Sequence, residues 1–192
     1  MKEEGRWKTN VKRLLQSKIF WFFVIIFVVV SLVRTIVTEQ VQVGGTSMEP
    51  TFQDGNILMI DKLSNRSENP RRYEVIVFEK EDGGKVKEYV KRVIGLPRET
   101  VQIRKGKIYI NGRELEEPYE FDAISDGGVA REKIELGEDE YFVLGDNRNN
   151  SKDSRNVEIG IVKREQIKGK VYIRLYPYSK VETYEIEEGA GE

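Results

Sequence analysis

Residues 87–97 read Lys-Glu-Tyr-Val-Lys-Arg-Val-Ile-Gly-Leu-Pro. The alternation puts Tyr89, Lys91 and Val93 on one face and Val90, Arg92 and Ile94 on the other, which is the period of a strand and not of a helix. Gly95 and Pro97 then break the run. Further runs are equally short, rich in β-branched and aromatic residues, and bounded by Gly, Asn, Asp or Pro: TEQVQV (38–43), NILMID (56–61), EVIVF (74–78), ETVQI (99–103), KIYING (107–112), EYFVLG (140–145) and KVYIRLYP (170–177). The pattern predicts a mainly β domain with little helix. Val101, Ile103, Ile108 and Ile110 flank Arg104 to Lys107, a hairpin turn in which Gly106 supplies the unusual backbone angle. The polar, turn-rich stretches 62–72 and 116–131 are expected to be surface loops.

One stretch breaks the pattern. Ile19 to Val37, IFWFFVIIFVVVSLVRTIV, is unbroken apolar sequence as far as Val30. As a helix it reaches about 28 Å, enough to span a bilayer core. It has no polar face for a buried core helix and no small-residue cleavage pattern after it, so a retained transmembrane helix is expected. Lys2, Arg6, Lys8, Lys12, Arg13 and Lys18 precede it, the positive flank that stays in the cytoplasm. The expected organisation is a cytoplasmic basic arm (1–18), a single-pass anchor in the cell membrane (19–37) and an extracytoplasmic β-rich domain (38–192). The lipid bilayer is therefore an expected partner.

Composition removes several chemistries. The chain of 192 residues has no Cys and no His. Thiolate and Ser-His-Asp catalysis and His-ligated zinc are thus excluded, and any general base must be Lys, Asp, Glu or Tyr. Residues 1–37 carry seven Lys/Arg against two Asp/Glu, and the remainder is mildly acidic. Without a clustered basic face no nucleic-acid partner is expected.

Ser47 sits in VGGTSMEPTFQDG, about ten residues past the apolar run, after two glycines that permit close backbone approach and before Pro50, which fixes the next turn. Alone, such a loop is more often just a turn. Lys91 is a candidate partner, because a lysine among apolar neighbours loses its charge more easily and a neutral amine can take a serine's proton. Periodicity leaves open whether Lys91 or Arg92 points inward. A third segment, Gly145 to Arg155 (GDNRNNSKDSR), follows an apolar strand and is dense in hydrogen-bonding groups. Ser151 could orient an amine there, and Asp153 could pair with Arg155. Asp146, Asn147 and Asp153 are oxygen donors, yet two arginines and the lack of a closing Glu make a calcium loop a poor alternative, and no metal is expected.

In order and spacing these segments resemble the type I signal peptidases, in the compact Gram-positive form. The family's nucleophile box is matched by Ser47-Met48-Glu49-Pro50-Thr51 and its lysine box by Tyr89-Val90-Lys91-Arg92-Val93-Ile94-Gly95-Leu96-Pro97. Its last box is matched by Gly145 to Arg155. The resemblance implies a signal-peptidase-type β-rich catalytic domain without cofactor: a membrane-bound serine endopeptidase that cuts signal peptides from exported preproteins. It implies Ser47 as nucleophile, Lys91 as general base, Ser151 holding the lysine amine, and Asp153 and Arg155 as buttresses. Val43, Gly45, Met48, Phe52, Glu88, Tyr89 and Val90 would bind substrate, with the peptide added as a strand beside Glu88 to Val90. Two departures fall in turns, where Tyr73-Glu74 stands for the family's Gly-Asp and Arg98-Glu99 for a second Gly-Asp. With Gly45 two residues before the nucleophile, the oxyanion would rely on backbone N–H groups, chiefly that of Ser47, with any help from Thr46 doubtful. The alternatives are a catalytically silent, membrane-tethered β-domain acting as an adaptor of an export complex, and another Ser/Lys peptidase such as a self-cleaving repressor.

Overall fold

The computed structural model describes residues 17–63, 68–178 and 181–183, and for residues 33–36 the backbone alone. The chain divides into two compact units between Val37 and Thr38. The first contains helix α1 (Lys18–Val37), whose apolar side chains, such as Ile19, Phe22, Phe23 and Phe27, are exposed. Among the described residues no helix is long and apolar enough to cross a membrane. The expected basic arm, residues 1–18, lies outside the described residues except for Ser17 and Lys18.

The second unit is β-rich. In chain order its strands are β1 (Thr38–Gln42), β2 (Ile57–Asp61), β3 (Val75–Asp82), β4 (Lys85–Gly95), β5 (Thr100–Arg104), β6 (Lys107–Ile110), β7 (Arg113–Glu114), β8 (Ile134–Glu135), β9 (Glu140–Leu144), β10 (Val162–Lys163), β11 (Ile167–Tyr176) and β12 (Glu182–Thr183). Every run picked out from the sequence overlaps one of them, with one end a residue or two beyond the strand. The larger sheet runs β1-β2-β11-β3-β4-β9-β10 with β12 on β11, and the smaller runs β7-β6-β5-β8. Arg104 pairs with Lys107 across Lys105-Gly106, and both turn residues have positive φ (50° and 79°), the two-residue hairpin that suits the strand twist.

The expected surface loop 116–131 is only partly that. It sinks Ile124 and Ala130 into the core and closes with a 3-10 turn, Gly128–Arg131. Ile124 and Ala130 join Val101, Ile103, Ile108 and Ile110 of the small sheet and Ile94, Phe142 and Leu144 of the larger one in a single core cluster, a role that the loop's polar composition conceals.

The larger sheet is buried on both faces, so its strands feed two clusters. Val75 and Val77 of β3 point to one and Ile76 and Phe78 to the other. The first cluster joins Val41, Leu58, Ile60, Val77, Val90 and Val171, from β1, β2, β3, β4 and β11. To share it, the sheet curls, and the free edge of β1 comes to face β4. β4 pairs along its length with β3, but with β9 at Arg92, Val93 and Gly95 alone. Its opposite edge before Arg92 is therefore open among the described residues, and two unpaired strand edges line a groove.

Candidate functional site

Ser47 lies in the loop that follows β1. The loop is held by backbone bonds from Val43 N to Asn56 O (2.8 Å) and from Gly55 N to Val43 O (2.9 Å), and by the Gly45 amide donating to Asp54 Oδ1 at 2.7 Å. Met48 and Phe52 are fully buried beneath it. These two were expected to line substrate pockets, and the structure corrects that: they belong to the apolar cluster under the groove and pin the loop, which leaves the half-buried Ser47 at the surface.

Lys91 Nζ sits 2.8 Å from Ser47 Oγ and 2.9 Å from the Val90 carbonyl oxygen, and 5.9 Å from the centre of the Tyr89 ring. Both Lys91 and Arg92 are 3% exposed, so each points inward, and what separates them is the partner each finds. Arg92 donates through Nε and Nη2 to Asp146 at 2.8 and 2.6 Å and stays charged. Among the described residues no carboxylate touches Lys91. Burial therefore pushes it down to about 8, against the upward pull of the more distant Asp153 and Asp146.

The segment 145–155 locks the two together. Asn147 N donates to Ser47 O (3.1 Å), and the Asn147 and Asn150 amides donate to Thr46 O and Thr46 Oγ1. The Thr46 hydroxyl is thus engaged, whereas the Ser47 amide has no acceptor among the described residues and is open to an oxyanion. Asp153 is completely buried, takes Arg155 Nε and Nη2 at 2.8 and 2.7 Å, and accepts the Gly145 amide at 3.0 Å. Gly145 has no room for a side chain: an added Cβ would overlap Ser151 Oγ and lie 2.5 Å from the Ser47 carbonyl oxygen. Ser151 is therefore beside the pair. Its expected bond to the Lys91 amine is nonetheless absent, because Lys91 is turned to Ser47 and Val90. Ser151 Oγ is buried with no partner among the described residues.

A set of supports went unrecognised in the sequence. Thr51 Oγ1 donates to Asp146 Oδ2 at 2.6 Å, and Asp146 holds Arg92, so one carboxylate joins the Ser47 segment, the Lys91 strand and the 145–155 segment. Arg148, fully buried, is gripped by both oxygens of Glu117, and Tyr119 and Phe121 lie over the Arg92 and Arg148 guanidinium groups. The signal available was the presence of Asp146 and Arg148 in the same dense box, but their partners come from distant segments.

The groove beside Ser47 and Lys91 encloses about 380 Å³ between the β1 segment and β4, and Val43, Gly45, Glu88, Tyr89 and Val90 all line it. A larger cleft of about 1030 Å³, lined mainly by charged residues such as Glu79, Asp139 and Arg164, lies apart from Ser47 and Lys91. Chemistry favours the smaller groove, since a nucleophile and a base meet there. Chemically the arrangement is that of a serine hydrolase whose base is an amine, with a groove for an extended peptide.

Known proteins similar to the chain agree. Residues 16–176 match the family described as signal peptidase, peptidase S26. The probable signal peptidase I-2 of Synechocystis sp. is 38% identical over 153 residues, 78% of this chain and 68% of that protein. Signal peptidase I of Leptolyngbya laminosa is 39% identical over 155 residues (78% and 74%), and that of Bacillus amyloliquefaciens 33% over 165 (82% and 86%). The chain belongs to the signal peptidase family, peptidase S26.

Proposed function

We propose that Ser47 and Lys91 are the nucleophile and general base with which this serine endopeptidase removes N-terminal signal peptides from exported preproteins. The observation that carries the assignment is the 2.8 Å approach of a lysine held near 8 to a serine hydroxyl. Neutral Lys91 accepts the hydroxyl proton as Oγ attacks the scissile carbonyl, and the developing oxyanion meets the free Ser47 amide. When the C–N bond breaks, Lys91 passes its proton to the leaving amine and Ser47 carries the acyl group. Lys91 then takes a proton from a water that attacks the acyl carbonyl and returns it to Oγ as the ester C–O bond breaks, which restores Ser47 and releases the signal peptide with a new C-terminal carboxyl group.

The substrate fits as a strand between the two open edges, with Val43 and Gly45 on one side and Glu88, Tyr89 and Val90 on the other. Met48 and Phe52 support the floor from below. Asp153 and Arg155 fix Gly145, and the unpartnered Ser151 hydroxyl is the group able to hold the Lys91 amine once Ser47 has been acylated. The apolar stretch 19–37 serves as a single-pass anchor, with residues 1–18 in the cytoplasm and residues 38–192 outside. Unbroken sequence apolarity and the basic flank support this, and so does the substrate, whose own apolar segment emerges from the same bilayer. The catalytically silent adaptor has no support among the related proteins.

The test is cleavage of a preprotein by the detergent-solubilised chain. Wild type is expected to release the signal peptide, and Ser47→Ala and Lys91→Ala are each expected to be inactive with unchanged circular dichroism. Substantial turnover by Lys91→Ala would remove the lysine from its role. Protease added to intact cells should digest the β domain and spare the arm; the reverse pattern would overturn the orientation.

A further inference from the structure

The groove is tied at both ends. At one, Ser47 meets Lys91. At the other, next to the groove residue Glu88, Lys168 of β11, which lines the larger cleft, lies with Nζ 2.7 Å from Glu39 of β1, 2.5 Å from Glu88 of β4 and 3.6 Å from Glu79 of β3. Lys62 adds a second cation to Glu39 at 3.2 Å. β1 and β4 share no backbone hydrogen bond, because β2, β11 and β3 separate them in the sheet. Among the described residues the Glu39–Lys168–Glu88 bridge is thus the polar link between the two strands themselves. Burial disfavours the Lys168 ammonium, yet the bonds to Glu39 and Glu88 outweigh it and hold the group above the ordinary lysine range. The bridge keeps its charge where Lys91 loses its own.

We infer that Lys168 and Glu39 are positioning residues that fix the separation of the groove walls and thereby restrict which side chains enter beside Glu88. The inference rests on the peptidase reading of the groove. At about 3.3 Å per residue, Glu88 is about 10 Å from Lys91 along β4, so it flanks the third or fourth substrate residue before the cut. Without the Lys168 ammonium, Glu88 and Glu79 would face Glu39 across the curl as like charges that Lys62, 3.2 Å from Glu39, offsets only in part. The walls would move apart, and a site tight enough for a small side chain would admit a larger one.

Steady-state cleavage by the purified full chain tests this, with paired preproteins carrying Ala or Leu at the third residue before the cut. For Lys168→Gln we expect KM on the Ala substrate to rise about fivefold, with a smaller change in kcat, and the preference for Ala over Leu to narrow. Lys168→Arg should restore both. Raising the salt concentration should draw the Gln variant toward wild type, because screening weakens the repulsion. The double variant Glu39→Gln/Lys168→Gln, with the Glu39 carboxylate neutralised, should regain most of the preference. Wild-type KM and selectivity in Lys168→Gln, or equal losses in the single and double variants, would overturn the inference. If Lys168→Gln fails to fold, Glu39→Gln gives the same reading, with a smaller rise in KM expected and none refuting. Failure of wild type to cut either preprotein would instead refute the peptidase reading itself.

Discussion

Replacing Lys91 by Met is expected to abolish cleavage and, at neutral pH, to make the protein more stable. Lys91 is 3% exposed, and burial lowers it from the ordinary 10.5 to about 8. Between those values the unfolded chain binds the proton and the native chain does not, so this residue's contribution to stability climbs with pH. The full penalty applies below pH 8 and vanishes above about 10.5. The gap corresponds to about 3 kcal/mol at neutral pH. Met fills a similar volume without the charge, but it gives up the bonds to Ser47 Oγ and Val90 O, a loss of about 1 kcal/mol. A net gain of about 2 kcal/mol remains, or about 6 °C in Tm for a domain of this size. Trp7 and Trp21, the two tryptophans, precede the β domain, so urea unfolding is best followed by far-ultraviolet circular dichroism. A Lys91→Met variant no more stable than wild type at pH 7, or one whose advantage persists unchanged at pH 10.5, would refute the claim that burial holds this amine near neutrality.

Three further outcomes follow from single positions. Gly145→Ala should cut turnover by at least about a hundredfold, since the new methyl collides with Ser151 and the Ser47 carbonyl; near-normal kcat/KM would contradict the packing seen there. Ser151→Ala should change the unfolding free energy from urea titration by less than about 0.5 kcal/mol, because among the described residues its hydroxyl has no bond to lose, and a larger loss of stability would expose a partner. A drop in kcat alongside unchanged stability would place Ser151 in the chemistry. Arg98→Gly should raise stability by up to about 1 kcal/mol, because Arg98 holds φ +67° and its bond to Glu138 is fully at the surface; destabilisation in urea titration would count against strain at this turn.

The fold was legible wherever local pattern decides it. Alternating residues became strands, and the Arg104 to Lys107 turn closed as its Gly required. Both departures from the family's Gly-Asp turns, Tyr73 and Arg98, sit at positive φ (71° and 67°), so the resemblance marked positions where the backbone itself favours glycine. Hidden from the sequence was what depends on curling. Strands of two residues such as β7, β8 and β10 carry no period, and the approach of β1 to β4 comes from a core shared by five strands. The same cause hid parts of the site. Periodicity could not rank Lys91 against Arg92 because β4 is covered on both faces from Val90 onward, and the choice falls to Asp146, a residue 54 positions from Arg92. Met48 and Phe52 flank the nucleophile in sequence but turn to the core. Nothing local reveals that Thr51 and Asp146, 95 positions apart, share a hydrogen bond.

The most direct measurement is the rate of a single round of preprotein cleavage against pH, from 6 to 9, with the chain in excess over substrate. The rate should climb about tenfold per pH unit at the acid end and level off near 8, where half of Lys91 has lost its proton. A rate independent of pH across that range, or one that falls as pH rises, would mean that an uncharged Lys91 is not what activates Ser47.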